Sequence, residues 1–208
     1  MLDDQITAQQ KIFTFLTETN EIYNLVKRYS ILIEEILPKN KAPLHPANEL
    51  KSLVFHLYKI AESPIDVDEN ITEAKEHLCR AFYDSHTLLF SIYIKRITSL
   101  LLPYKENIVD KAFPDYRNII RPAIRELQDS LYNLRSNRNT DITIINTNLK
   151  EYQLQIATLA KFEEIIERTR PVINKFQKKD EQKIIVEIVG VIIFLAVMFM
   201  VGYYFGSR

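Results

Sequence analysis

Glycine is absent from the first 189 residues of this 208-residue chain, because its three glycines are Gly190, Gly202 and Gly206. Tight hairpins and β-bulges usually need glycine for backbone conformations with positive φ. Helices joined by short turns need none, and the eight prolines of the chain can mark those turns. The sequence therefore predicts an all-α fold, a multi-helix bundle with long helices.

Apolar residues recur every three or four positions along most of the chain, which is typical of amphipathic helices. We expect helices over residues 3–37, 48–61, 68–102, 105–113, 115–135 and 141–169. Pro122 is expected to mark a kink, and Pro171 to break or bend the chain. The residues of the first helix that are expected to face the core share this spacing: Ile6, Phe13, Leu16, Tyr23, Val26 and Ile33.

Two stretches are apolar enough to be tested as membrane spans. Residues 88–102 are short and carry Lys95 and Arg96 at their centre, so we expect a buried core helix there. Residues 184–205 contain one charged residue, Glu187. At a rise of about 1.5 Å per residue this second stretch is roughly 33 Å long, enough to cross a hydrocarbon core of about 30 Å. It is predicted to be one C-terminal transmembrane helix.

The flanks of that stretch predict its orientation. Six lysines and arginines lie between Arg168 and Lys183, whereas only Arg208 follows the span. Because basic flanks stay on the cytoplasmic side, the N-terminal part is expected in the cytoplasm of a cell with an inner (plasma) membrane. The first ten residues are acidic and polar, so no secretory signal is expected. The predicted division is a cytoplasmic helical domain (1–170), a basic juxtamembrane connector (171–183), the span (184–205) and an outer tail (206–208).

Composition excludes several classes of function. Basic and acidic residues balance at 27 each, so no global attraction to nucleic acid is expected. Cys79 is the only cysteine, which excludes an intramolecular disulfide and a multi-cysteine metal site. Without glycine there is no phosphate-binding glycine-rich loop, and no HExxH motif is present. We therefore expect no enzyme, no cofactor and no metal.

Polar residues cluster on two of the expected helices, at Glu49 and His56 on the first and at His77, Arg80 and Asp84 on the second. The last three are spaced by three and four positions, so they share one helix face and could form a partly buried network with Glu49 or His56. One interpretation is a polar layer that fixes helix register. The other is an anion or nucleotide pocket with Arg80 as bidentate donor, and with His56, His77 and Asp84 as further ligand-binding residues.

Arginines are concentrated in a later region, at positions 117, 121, 125, 135 and 138. One interpretation is a solvated helix face near anionic lipid head groups or acidic neighbours. The other is a binding site for a nucleotide or oligonucleotide signal, with Arg117, Arg121 and Arg125 as candidate ligand-binding residues.

Glu187 allows two interpretations of the apolar segment. In a lone anchor its carboxylate reaches water by snorkelling. In an assembly of several copies it heads a helix stripe that lines a pore, with a constriction at Phe194 and Met198 that could gate by dewetting. The candidate pore-lining residues are Glu187, Val191, Phe194, Met198 and Val201.

Arg80 and His86 are separated by five residues, which resembles the R-x4–6-H motif of HEPN-type helical ribonucleases. That family usually has a polar residue after the arginine, where this chain has Ala81. The pattern NELKSLVFH at 48–56 followed by HLCRAFYD at 77–84 is similar to HEPN-like helical modules of bacterial abortive-infection proteins. The resemblance covers residues 48–86 and implies a defence role, with a membrane-tethered ribonuclease as one alternative.

The overall layout resembles that of small membrane effectors of bacterial anti-phage systems, including the membrane subunit of the Hailong type. This resemblance implies a homo-oligomer, by analogy a tetramer, whose spans depolarise the membrane when a nucleotide or oligonucleotide signal, or a nucleotidyltransferase partner, releases them. One span cannot enclose water by itself, so oligomerisation in the lipid bilayer is required. The alternative is a tail-anchored adaptor or scaffold without transport activity.

Overall fold

The computed structural model describes the backbone of residues 2–37, 44–63, 65–136 and 141–206, and the side chains of residues 5–37, 45–63, 65–136 and 141–192. These residues form helices and turns without a strand, which confirms the predicted all-α fold. The helices are α1 (Leu2–Ile36), α2 (Leu44–Glu62), α3 (Val67–Leu101), α4 (Glu106–Ala112), α5 (Arg121–Ser136) and α6 (Ile142–Gly206). A π-helical turn, Tyr116–Ile120, leads directly into α5.

Two prolines lie close to the ends of helices. α3 ends at Leu101, two residues before Pro103. Pro122 is the second residue of α5 and has no amide hydrogen to donate to the carbonyl of Asn118. The π-helical turn ends at the residue before α5 begins, and the kink predicted at Pro122 stays a prediction.

Pro171 does not break the chain, so the predicted break is wrong: α6 continues through it without interruption. A proline inside a helix costs about 3 kcal/mol. Ile166 and Ile173 lie on either side and are completely buried. Burial of each stabilises the helix by about 1.5–3 kcal/mol, which offsets the cost of the proline.

The chain forms two compact units. Unit 1 comprises Met1–Ile97 and Ala123–Glu163, and unit 2 comprises Thr98–Pro122 and Glu164–Arg208. α1 and α2 belong to unit 1 and α4 to unit 2, while α3 and α6 contribute residues to both. The domain limits predicted at residues 170 and 183 remain predictions.

The core of unit 1 is built from α1, α3 and α6. Its fully buried large side chains are Ile22, Ile33, Leu78, Phe82, Leu89, Phe90, Ile145 and Leu159. Leu89 and Phe90 come from the apolar stretch 88–102, in which Lys95, Arg96 and Leu102 are exposed. One face of this stretch therefore lies in the core, as expected, and the other does not. Cys79 is buried as well. Burial raises the pKa of its thiol to about 12, so the residue is a packed, protonated side chain.

α1 carries two apolar stripes, and most of the stripe predicted to face the core faces outward. Of the six expected core residues, only Val26 and Ile33 are buried. The other four are exposed by 43 to 72%: Ile6, Phe13, Leu16 and Tyr23. The buried stripe instead follows alternating steps of four and three residues through Phe15, Thr19, Ile22, Val26, Tyr29 and Ile33. The predicted helix is thus confirmed and its predicted core face is wrong.

Unit 2 has a smaller core. Its buried side chains include Ile108 and Val109 of α4, Phe113 just after that helix, and Ile166 and Ile173 of α6. A hydrogen bond at the surface also links two segments of this unit: the Tyr104 hydroxyl donates to Oδ1 of Asn174 over 2.8 Å.

The apolar segment predicted to span a membrane, residues 184–205, lies within α6. Seven large aliphatic side chains of its described part are exposed by 39 to 70%: Ile184, Ile185, Val186, Ile188, Val189, Val191 and Ile192. In the part of the chain that the structure describes, no helix has the length and apolar character needed to cross a membrane.

Candidate functional site

α2 and α3 share a polar seam at the position predicted from the sequence. Nδ1 of His77 lies 2.8 Å from Oε2 of Glu49, and Nε of Arg80 donates to the same oxygen over 3.0 Å. The imidazole of His56 stacks on that of His77 with ring centroids 5.2 Å apart. The predicted partly buried network between the two helices is therefore present, and it uses both Glu49 and His56.

The guanidinium of Arg80 is engaged by two carboxylates. Besides Glu49, it contacts Glu76, to which its terminal nitrogen donates over 3.2 Å. Burial by itself raises the pKa of Glu49, but the hydrogen bonds from His77 and Arg80 outweigh burial and hold this pKa below its usual value. Because Arg80 already binds two acids of its own chain, the geometry favours the interpretation of a register-fixing polar layer over that of an anion pocket.

The tautomer of His56 follows from its neighbour Asn70. The amide nitrogen of Asn70 donates to the backbone carbonyl of Asp66 over 3.0 Å. Its amide oxygen therefore faces Nδ1 of His56, 3.1 Å away, and accepts a hydrogen bond from it. In the neutral ring, Nε2 of His56 is then the nitrogen with a free lone pair.

The same argument applies to His77. A carboxylate only accepts hydrogen bonds, so the 2.8 Å contact with Glu49 places the proton of the neutral ring on Nδ1. Nδ1 of His77 also lies 3.1 Å from a terminal nitrogen of Arg80. Both groups are donors, and the shorter contact with the carboxylate decides the tautomer. Nε2 is again the nitrogen left for another partner.

Glu73 completes this part of the seam and was missed by the sequence analysis. One possible ligand atom from each of His56, Glu73 and His77 lies within 4.8 Å of the other two. All three side chains are half-buried. Glu73 and His77 are four residues apart on α3, and this i, i+4 pair of metal-ligand residue types was the sequence signal that could have revealed the cluster.

Asp84 lies farther along the seam and has a different histidine partner. Its carboxylate is 3.1 Å from Nδ1 of His45 on α2, a residue that the sequence analysis did not select. The side chain of His45 is 80% exposed, so this contact is a surface pair. Of the four predicted ligand-binding residues on these two helices, the structure joins His56, His77 and Arg80 in one network and gives Asp84 a separate contact.

His86 belongs to the core and not to the seam. It is fully buried among Tyr29, Phe82 and Tyr152, whose ring centroids lie 5.3 to 5.8 Å from its own. Its Nε2 contacts the amide oxygen of Gln155 at 3.2 Å. A ribonuclease site that uses Arg80 and His86 together needs both groups accessible to RNA, and this geometry gives that alternative no support.

The burial of His86 predicts a pH dependence of stability. Burial lowers its pKa to about 4, against the opposing effect of the Gln155 hydrogen bond. Between pH 6.5 and 4 the unfolded chain therefore binds a proton that the folded chain does not, and stability falls as the pH falls through this range. The full loss is about 3 kcal/mol, and above pH 6.5 this contribution to stability is intact.

The comparison of wild type with His86→Gln isolates this effect, because the other titrating groups are common to both proteins. The free energy of unfolding of both proteins is measured by urea titration of the full chain in detergent. Between pH 7 and 4 we expect the wild type to lose about 3 kcal/mol more than His86→Gln does. A difference that stays constant over this range contradicts the assignment.

Two arginines of the predicted cluster form ion pairs with acids. In unit 2, Arg117 lies 3.5 Å from Asp110, and Arg121 forms an ion pair with Glu106. Arg125 belongs to unit 1 and is exposed. The two ion pairs agree with the interpretation of a solvated face with acidic neighbours.

The candidate pore-lining residues are described in part. Glu187 is 64% exposed and lies 3.8 Å from Lys183, one turn earlier. Val191 is exposed by 58%. Phe194, Met198 and Val201 lie outside the described side chains.

Comparison of the chain with protein-family models, curated proteins and solved structures gave no match.

Proposed function

We propose that the chain is a homo-oligomeric membrane effector, with the apolar end of α6 in the bilayer and the helical remainder in the cytoplasm. The observation that carries the proposal is the exposed aliphatic surface between Ile184 and Ile192. Successive residues of a helix point about 100° apart, so these seven side chains cover roughly 220° of its circumference, and the remaining sector holds Glu187 and Gly190. The apolar stripe of a helix packed on a globular core is about 100° wide, so an apolar surface this wide favours a helix surrounded by lipid.

Self-association is supported by Gly190. A Cβ atom added to this residue meets nothing within 4 Å, so the helix surface there is open. Glycine costs about 1 kcal/mol relative to alanine inside a helix. Close approach of a second helix across such an open backbone surface is a common use of glycine in membranes.

Permeation is the proposed activity of the assembly. Glu187 is the one charged residue among positions 184–205 and is solvent-accessible in the single chain. In an assembly of several copies these carboxylates form a ring at the cytoplasmic mouth, which favours cations. The resemblance to anti-phage membrane effectors also implies how the assembly is activated. A nucleotide or oligonucleotide signal, or a nucleotidyltransferase partner, releases the spans, and the membrane then depolarises.

A second candidate function is a tail-anchored adaptor without transport activity. The contact between Lys183 and Glu187 favours it, because an acid paired with a lysine one turn away can remain at the membrane surface in a lone anchor. The two candidates differ in oligomer size and in ion flux.

Reconstitution distinguishes them. We expect full-length protein in lipid vesicles to pass monovalent cations, and Glu187→Gln to reduce the flux about tenfold through loss of the carboxylate ring. Lys183→Gln is the matched control, because it removes the partner but keeps the carboxylates, and we expect its flux to stay within about twofold of wild type. Particle mass in detergent is measured on the same preparations. A monomeric particle together with sealed vesicles in the presence of candidate nucleotides contradicts the effector and leaves the adaptor.

A further inference from the structure

We propose that His56, Glu73 and His77 bind one Zn²⁺ ion, which links α2 to α3. His56 lies on α2, and the other two residues lie one turn apart on α3. One ligand atom from each lies within 4.8 Å of the other two. This inference is independent of the proposed membrane function, because it rests only on contacts within unit 1.

The distances are close to those of a zinc site. Zinc binds imidazole nitrogen and carboxylate oxygen at about 2.0–2.2 Å, which places the ligands of a tetrahedral site about 3.4 Å from one another. Atoms within 4.8 Å of one another therefore have to approach by no more than about 1.4 Å. The three side chains are half-buried, so small rotations can supply this movement without opening the core.

In both imidazoles Nδ1 is engaged in a hydrogen bond. Nδ1 of His56 donates to Asn70, and Nδ1 of His77 donates to Glu49. Each ring is thereby held in the tautomer that presents an unprotonated Nε2. Histidines that bind metals commonly donate their second ring nitrogen to a carboxylate or carbonyl oxygen in this way.

The surrounding charges suit a divalent cation. The carboxylate of Glu73 makes no hydrogen bond or ion pair with any residue that the structure describes. The seam brings together the three carboxylates of Glu49, Glu73 and Glu76 with one guanidinium, that of Arg80. With neutral imidazoles the group carries a net charge of minus two, which a divalent ion compensates.

The donor set selects the class of metal. Two imidazole nitrogens with one carboxylate oxygen suit zinc and its first-row neighbours, whereas magnesium and calcium prefer oxygen ligands alone. Three protein ligands leave a fourth position for water or an external ligand.

The ion would strengthen the attachment of a helix that has little core of its own. Among the described residues of α2, only Pro46, Leu53 and Ile60 are buried. Coordination by His56 on one side and by Glu73 and His77 on the other adds a direct link between the two helices.

The test uses the full-length chain in detergent, freed of metal by a chelator and titrated with Zn²⁺ against a chromogenic competitor. We expect one ion per chain with a Kd of about 1 µM or tighter, and Co²⁺ in place of zinc to give visible absorption bands of a four-coordinate site. A hundredfold excess of Zn²⁺ over Kd is expected to raise the melting temperature by about 5–10 °C.

Three variants decide whether the bound ion is at this site. His56→Gln and Glu73→Gln each remove one ligand from a different helix, and we expect each to weaken binding at least about tenfold. His45→Gln is the control, because His45 lies on α2 outside the cluster, and we expect its affinity to match wild type. The proposal is overturned if the wild type does not bind one ion per chain. It is also overturned if a ligand variant that keeps the helical circular dichroism of the wild type binds zinc as tightly as the wild type does.

Discussion

Replacing Phe15 with alanine is expected to lower the free energy of unfolding by about 3–5 kcal/mol. Phe15 is 2% exposed, so truncation of its ring removes buried apolar contacts and leaves a cavity between α1 and the rest of unit 1. The effect is measured by urea titration of the full chain in detergent, followed by circular dichroism. It is among the largest effects that a single substitution in this fold can have.

Phe13 provides the matched control, because it is the same residue type on the same helix. Its side chain is 72% exposed, and we expect Phe13→Ala to change the free energy of unfolding by no more than about 0.5 kcal/mol. The two substitutions together decide which stripe of α1 is the core stripe. A larger loss at Phe13 than at Phe15 would mean that α1 is rotated about its axis relative to the structure.

Two arginines in the apolar segment are expected to remove the chain from membranes. On insertion scales an arginine at the centre of a span costs about 2.5–3.5 kcal/mol. Leu195→Arg with Val197→Arg therefore costs about 5–7 kcal/mol, which is about four to five powers of ten in partitioning. We expect the wild type to float with lipid vesicles in a density gradient and to resist carbonate extraction. The double variant is expected to remain in the aqueous fraction.

The control places the same two charges elsewhere on the exposed apolar surface. Ile65 and Leu102 are 70 and 79% exposed and lie outside the proposed span. Ile65→Arg with Leu102→Arg is therefore expected to float as the wild type does. Recovery of the wild type itself in the aqueous fraction would contradict both the effector and the anchor proposals.

The positions of the helices could be predicted from the sequence better than which face of each helix is buried. The lack of glycine and the positions of the prolines sufficed for an all-α fold and for the end of α3 near Pro103. Periodicity could not orient α1, because two apolar stripes run along it and each contains one phenylalanine and one tyrosine. Phe13 and Tyr23 lie on the exposed stripe, and Phe15 and Tyr29 lie on the buried one. Which stripe is buried depends on the shapes of α3 and α6, and a single helix contains no information about them.

The candidate site shows the same division. Helical spacing predicted that His77, Arg80 and Asp84 share a face and meet the helix that carries Glu49 and His56. The structure confirms the network for His77 and Arg80 and gives Asp84 a separate contact with His45. Spacing could not predict how the network is hydrogen-bonded. The tautomer of His56 depends on the amide of Asn70, and that of His77 depends on the carboxylate of Glu49. In both pairs the partner lies on the other helix, so the spacing of residues along one helix does not predict the contact.

Because α2 buries little apolar surface, we expect it to detach before the rest of unit 1 unfolds. A helix with three buried residues, Pro46, Leu53 and Ile60, and a polar seam can detach while α1, α3 and α6 keep their common core. The amide groups of α2 are then the ones that reach solvent through partial opening, before global denaturation. Anything that fastens α2, whether a cation in the seam or another protein against its exposed Val54, Phe55 and Tyr58, alters that opening without touching the core.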